Sequence, residues 1–468
     1  LSSERSTHRS KAGFHPGNIA IRVAVLLGAA TLMIIYVSAA LRHARLVNTD
    51  RGSTDQSAYM GYARSLAESN YTFIGDRNRM PLYPALQSLV YDPQASPEKY
   101  FARAKQVNIA LSIACLLVLS VLLLRHLPAT AAAALIVMLA FTVFVFKAGY
   151  VQSELLFYTL NFSSFLLMNR LLHQPSWKWG LLTGVVIGLS HLTKASVIPG
   201  LALFLLIAAL KLLAALSSAR RQRGRSPREA SGGPSLAIHL ATWACVVAAF
   251  LVTVGPYILN SKRVYGHYFY NVNSTFYLWY DSWDEVKEGT RGHGDRYGWP
   301  DMEPEMIPSP AKYLREHSPA EMLGRLSGGL EVLLTQAVHS YGYFKYEALY
   351  VCCALALALV YRRKTLELLR EYGFLWLFNG LYFGAYVLLY AWFSPICSGN
   401  RLPLAQFLPF MFGLSIVIYR FCARVAGLEW RGRKIYLHTL LISVVFLLLA
   451  YDVYDVATHR IVSMYGGS

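Results

Sequence analysis

An all-α polytopic membrane protein of about eleven transmembrane helices is the fold class this sequence predicts. Three observations carry it. Of the 468 residues, 55% are apolar and 15% charged, where soluble domains carry about a quarter charged. Apolar runs near the ~20 residues needed to cross a bilayer recur along the whole length. Those runs are too long for barrel strands, and in lipid only a helix or a closed barrel satisfies its own backbone.

The expected spans are Ile19–Leu41, Val107–Leu124, Thr130–Phe146, Val151–Leu172, Trp179–Leu192, Val197–Leu213, Leu236–Leu259, Tyr346–Tyr361, Phe374–Phe393, Leu402–Phe421 and Tyr436–Val456. The first is too long for a signal-peptide core and lacks a clear small-residue cleavage site, so it reads as a retained anchor. Lys194 interrupts the pair between Trp179 and Leu213.

The net charge is +18. Its Lys and Arg residues cluster in short loops between spans, which is the positive-inside pattern rather than a nucleic-acid surface. The groups are Arg5, Arg9, Lys11 and Arg22; Arg220, Arg221, Arg223, Arg225 and Arg228; Arg362, Arg363, Lys364 and Arg370; and Arg424, Arg431, Arg433 and Lys434. With a cytoplasmic N-terminus and eleven spans, all four fall on the cytoplasmic side and the C-terminus lies outside.

This reading makes residues 1–468 one integral membrane unit. It has a first outer loop over 42–106, a basic cytoplasmic linker over 217–235 and a larger outer loop over 260–345. Tyr59, Tyr62, Ala63 and Leu66 recur at helical spacing after Ser53 and Thr54, either of which can cap, so the first loop carries a short amphipathic helix. Ser226–Gly233 is a Gly/Pro/Ser/Arg linker. No repeat of fixed period is visible, nor the inverted halves of many transporters. Five of the six cysteines lie in spans and Cys397 in a loop, with no CxxC spacing, so neither a disulfide framework nor a zinc site is supported.

The charges that composition leaves unexplained are on the outer side. Asp55 opens a short helix, a position the helix dipole favours in any protein. It is followed by Arg77, Arg79 and the turn Met80-Pro81-Leu82-Tyr83-Pro84, which two prolines stiffen. Glu154 stands at the outer end of the fourth span, where a carboxylate is costly unless it works. Lys194 interrupts a span near the outer face, and Arg401 precedes the tenth. Tyr343 and Lys345 belong to an aromatic and basic group before the eighth. A carboxylate pair beside several cations at the lipid edge suits an anionic headgroup. Glycosyl transfer from a lipid-linked sugar phosphate fits: a carboxylate takes the acceptor hydroxyl's proton, and Arg and Lys hold the departing phosphate.

These residues resemble the GT-C fold of polyprenyl-phosphate-sugar-dependent glycosyltransferases, especially bacterial relatives of the aminoarabinose transferase and of the protein O-mannosyltransferases. Asp55-Gln-Ser-Ala-Tyr59 is similar to the family's first-loop pattern, and Arg79-Met-Pro-Leu-Tyr83-Pro to its basic, Pro-rich turn. Ser153-Glu154-Leu155 matches a second acidic position. Lys194 matches a lysine near the donor phosphate. Pro256-Tyr-Ile-Leu-Asn260, and Arg401-Leu-Pro403 with Pro409, resemble later stretches. Gln56 stands where many relatives have Glu, and Ala58 where the aminoarabinose transferases have Arg.

The resemblance implies catalytic roles for Asp55 and Glu154, and donor-phosphate binding by Arg79, Lys194 and Arg401. Substrate contacts are expected from Tyr59, Arg77, Tyr83, Tyr343 and Lys345. It implies a hexosyl or pentosyl transferase acting by inversion in the bacterial inner membrane, with its active site on the periplasmic face. The expected partners are a polyprenyl-phosphate sugar donor and a lipid, glycan or protein acceptor. No metal ligands are expected; a divalent cation, Mg or Mn, is the only cofactor left open. The competing class is a transporter or flippase of a lipid-linked or anionic solute.

Overall fold

The computed structural model describes residues 16–72, 76, 78–222, 236–397, 399, 401–424, 428–430 and 433–466. Apolar runs become helix almost without exception. Helix α1 (Pro16–Leu46) is followed by two short helices, α2 (Gln56–Glu68) and α3 (Leu82–Ser88), and then by α4 (Pro97–His126). α5 (Ala129–Leu139) continues through a π turn, Ala140–Phe144, into α6 (Val145–Lys147). α7 (Glu154–His173), α8 (Trp177–Thr193), α9 (Ile198–Gln222) and α10 (Leu236–Tyr265) come next. The second long connection carries α11 (Val272–Thr275), α12 (Trp283–Glu288), α13 (Pro310–Glu316) and α14 (Pro319–His339). The chain returns through α15 (Phe344–Val360), α16 (Arg362–Glu371), α17 (Gly373–Phe393) and α18 (Arg401–Arg424). A hairpin of β1 (Leu428–Trp430) and β2 (Arg433–Ile435) leads to α19 (Leu437–Asp455), a second π turn and α20 (Ile461–Ser463).

Nine helices among the described residues are long and apolar enough to cross a membrane, ten if the bent pair α14–α15 counts as one span. Two of the about eleven expected spans, α8 and α15, fall outside this set by length. α8 has 17 residues, about 26 Å of helix, short of the ~30 Å hydrocarbon core. α15 also has 17, and α14 meets it at 107°. The surface of the bundle is that of a lipid-facing protein: Ile21 and Leu26 on α1 are 65% and 69% exposed.

The expected outer loops are shorter than their apolar boundaries suggested, because helical hydrogen bonding runs past the apolar edge. α1 continues to Leu46, and α4 starts at Pro97 with the Ser96 hydroxyl accepting from the Lys99 amide. Most of the 217–235 linker lies outside the described residues. In the second loop, Ser318 and Glu321 form a reciprocal capping box that starts α14 at Pro319.

α8 and α10 pack more closely than any ordinary apolar pair could. Gly180, Gly184 and Gly188 recur every fourth residue and put backbone against backbone. A Cβ added at Gly184 would lie 2.3 Å from the Val246 carbonyl oxygen, and one at Gly188 would lie 2.6 Å from the Thr253 Cβ. Gly184→Val is therefore expected to push the helices apart and cost about 1–3 kcal/mol. Gly28→Ala, where nothing lies within 4 Å, should leave the melting temperature of the purified protein unchanged or slightly higher. Thermal unfolding of the two variants in one detergent checks the contrast.

Candidate active site

Residues up to 346 positions apart meet at one end of the bundle. Asp55 is the N-cap residue of α2, but its side chain caps no amide there. Its carboxylate turns to two arginines instead. Arg79 Nη2 donates to Oδ1 at 2.8 Å, and Arg401 Nη1 donates to Oδ2 at 2.8 Å. Burial pushes the Asp55 carboxyl up, but the Arg79 and Arg401 guanidiniums outweigh it and hold the group down at about 2. Opposite charge at hydrogen-bond distance wins because both donors point at the ionised form.

Local sequence explains why Asp55 is presented this way. The next residue, Gln56, is fully buried and joins three segments. Its Oε1 accepts from Asn48 Nδ2 at 2.8 Å and from the Val151 amide at 2.9 Å, and its Nε2 donates to Asn48 Oδ1 at 2.9 Å. A glutamate could not make the last bond, since a carboxylate has no donor. Arg79 is set by Asp76, whose Oδ1 accepts from the Asn78 and Arg79 amides at 2.9 Å each. Its guanidinium also lies over the Tyr59 ring, 5.6 Å from the centroid. Arg401 begins α18; its carbonyl accepts from the Tyr158 hydroxyl at 3.0 Å, and its Nη2 contacts Cys397 Sγ at 3.1 Å.

Glu154 is the first residue of α7 and 2% exposed. Lys194 Nζ donates to its Oε1 at 3.3 Å, and its Oε2 is buried without a hydrogen-bond partner. Lys194 occupies the extended break between α8 and α9, with φ −159°. The charges of Arg401, Lys147 and Asp55 also reach Glu154. Asp55, Arg79, Glu154, Lys194 and Arg401, each singled out in the sequence, therefore form one cluster. Cations facing carboxylates at the ends of α7, α8 and α18 can hold an anion, and the carboxylates can accept a proton.

The remaining expected residues divide. The Tyr59 hydroxyl shares a 2.9 Å hydrogen bond with Ser153 Oγ, beside Glu154. Tyr83 lies behind Tyr59, ring edge to face at 5.2 Å, and its hydroxyl donates to Asn108 Oδ1 at 3.0 Å, so it supports the wall from within the core. Lys345 pairs with Asp452 on α19, and Tyr346 donates to the same carboxylate. Tyr343 is buried against Phe407. Neither Lys345 nor Tyr343 contacts Asp55 or its two arginines among the described hydrogen bonds and ion pairs. Arg77 lies outside the described residues. Asp76, 3.8 Å from Arg79, belongs to the cluster although the sequence assigns it no role, and Lys147 stands behind the cluster with its ammonium on the Gly466 carbonyl. Lys147 could have been found as a lone lysine ending an apolar span.

Basic side chains mark the opposite end. Lys211 on α9 donates to the Leu172 carbonyl near the far end of α7, His173 meets Tyr372, and Arg420 lies over the same Tyr372 ring.

The clamp on Asp55 has a pH signature. A carboxyl held at about 2, below its ordinary 3.8, contributes stability that is fully present above the unfolded value. That stability is lost as pH falls through the folded one. The melting temperature of the wild type should exceed that of Asp55→Asn by a constant margin above about pH 4, and the margin should close towards about pH 2. A margin that persists there would mean that Asp55 acts other than as an anion.

No family model matches this chain, and no curated protein matches it. Among solved structures, ArnT from Cupriavidus metallidurans bound to undecaprenyl phosphate is similar to it at 15% identity and a TM-score of 0.30, over 88% of this chain and 83% of that one. A superposition that loose bears on neither the chemistry nor the substrate of this protein.

Proposed function

We propose that this protein is a membrane glycosyltransferase of GT-C type that moves a sugar from a polyprenyl-phosphate donor to a hydroxyl of a lipid, glycan or protein acceptor, with inversion. The observation that carries the reading is the gathering of Asp55, Glu154, Arg79, Lys194 and Arg401 at one end of a lipid-facing helical bundle. Cations at the lipid boundary suit a phosphate on a lipid, because the tail stays in hydrocarbon while the charge is met by protein.

In this reading Arg401, Arg79 and Lys194 hold the donor phosphate. As it approaches, it competes with Asp55 for the two guanidiniums, and a carboxylate released from them becomes a stronger base. Asp55 then takes the acceptor hydroxyl's proton while that oxygen bonds to the anomeric carbon. The bond from carbon to phosphate oxygen breaks, and polyprenyl phosphate leaves with its new charge on the cations. Glu154 keeps Lys194 in place and is the second carboxylate in reach. The donor set around Asp55 does not suit a divalent cation, since the carboxylate is held by two guanidiniums and its neighbour is an amide; no step is routed through a metal. The charged end is read as periplasmic, with the basic end in the cytoplasm.

A transporter or flippase would place its ionisable groups near the bilayer midplane. Here they stand at helix ends. Asp55→Asn is expected to slow sugar transfer from synthetic polyprenyl-phosphate sugars by about 10²–10⁴-fold while lipid-phosphate binding persists. Wild-type transfer by that variant would remove Asp55 as the base. Movement of the lipid across proteoliposomes without sugar transfer would favour the transport reading.

A further inference from the structure

Buried polar atoms without a hydrogen-bond partner gather a second time where α8 packs on α10, on the side towards Tyr62 of α2. They are both ring nitrogens of His191, the hydroxyls of Tyr62 and Tyr257, and Nδ2 of Asn260. Their side chains are only 2%, 5%, 3% and 8% exposed. The Ala195 backbone approaches the His191 ring without completing a hydrogen bond to either nitrogen. Folded proteins leave few buried polar groups unpaired, and each one left so is destabilising.

These atoms belong to one place. The His191 and Tyr257 ring centroids are 6.5 Å apart. Asn260 follows Tyr257 by three residues on α10. The Tyr62 hydroxyl lies in the neighbourhood of the Tyr257 hydroxyl and the Asp76 carboxylate. Arg263 Nη2 donates to Asn260 Oδ1 at 2.8 Å, which leaves Nδ2 as the free donor of that amide. Phe269 packs edge-on to His191 at 6.2 Å and holds a φ of +53°, a left-handed conformation that costs strain in a bulky residue.

The cluster adjoins the charged site. His191 stands in the last turn of α8, three residues before Lys194. Asp76 is 3.8 Å from Arg79, which is itself 2.8 Å from Asp55. Two hydroxyls, an amide N–H and an imidazole supply donors and acceptors without a cation, between aromatic rings. That is what a ring bearing several hydroxyls needs: hydrogen bonds at its rim and flat apolar contact on its face.

We propose that Tyr62, His191, Tyr257 and Asn260 form the subsite for a sugar ring, and that the sugar is the one the donor carries. The proposal rests on the charged cluster being the phosphate site. The donor is chosen over the acceptor because its sugar is joined directly to the phosphate, and the cluster adjoins the phosphate-holding residues through His191 beside Lys194 and Asp76 at 3.8 Å from Arg79.

The test measures binding of undecaprenyl phosphate, alone and carrying each of glucose, mannose, galactose and 4-amino-4-deoxyarabinose, to the full-length protein. The variants are Tyr62→Phe, Tyr257→Phe and His191→Phe. For the sugar the wild type prefers, each variant should weaken binding of the glycosylated lipid about tenfold and leave binding of bare undecaprenyl phosphate unchanged. The two tyrosine variants should melt, without ligand, at or above the wild-type temperature, since each removes an unpaired buried hydroxyl. A wild type that binds bare and glycosylated lipid equally well would overturn the subsite while leaving the phosphate site standing. Unchanged donor binding in the variants with a raised KM for the acceptor would assign the cluster to the acceptor's sugar and overturn the donor assignment. Lower melting temperatures with no change in either substrate would make it structural. A wild type that binds no lipid phosphate at all would refute the phosphate reading itself.

Discussion

Asp55 accepts from Arg79 and Arg401 at 2.8 Å each, and through these two bonds the first connection of the chain is fastened to the start of α18. The guanidiniums come from different elements and take different carboxylate oxygens, one from a turn shaped by Asp76 and one from a helix N-terminus. Both arginines are half-buried and paired to the same carboxylate, so the position of each constrains the other through it. Glu154 and Lys194 form a second pair beside the first, at the ends of α7 and α8. Three cations, Arg79, Arg401 and Lys194, thus face the carboxylates of Asp55, Glu154 and Asp76.

That arrangement needs a rigid frame, and buried amides supply it. Gln56 and Asn48 bond to each other twice, and Asn48 Nδ2 also reaches the Gly149 carbonyl at 2.7 Å. Asn108 donates to the carbonyls of Ala148 and Tyr150 at 3.0 and 2.6 Å. These carbonyls belong to the short non-helical passage between α6 and α7, where the backbone would otherwise be left unsatisfied. The same passage delivers Ser153 and Glu154 to the site. Frame and function meet there: the amides that repair a break in helical hydrogen bonding also fix a carboxylate.

The close contact of α8 with α10 has a comparable double consequence. The glycine stripe lets the two helices touch along their length. That contact brings His191 against Tyr257 at one end, next to Lys194. Ion pairs and unpaired polar groups therefore lie side by side, one set suited to a charge and the other to neutral hydroxyls.

Sequence alone determined the helical membrane class, the approximate spans and the residue types of the charged end. These are local properties: about twenty apolar residues commit to a helix in lipid, and a carboxylate or lone lysine at such a boundary is conspicuous wherever it occurs. It could not show that Asp55 would be shared by two arginines, that Lys345 would turn to Asp452, or that Tyr83 would point into the core towards Asn108. The two shortest expected spans are α8 and α15, with 17 residues each, and α14 meets α15 at a 107° bend that composition does not announce. His191, Tyr62, Tyr257 and Asn260 were ordinary aromatic and polar residues until α2, α8 and α10 placed them together. Those outcomes depend on which helix ends meet, and that is set by packing between residues far apart in the chain, which no local pattern records.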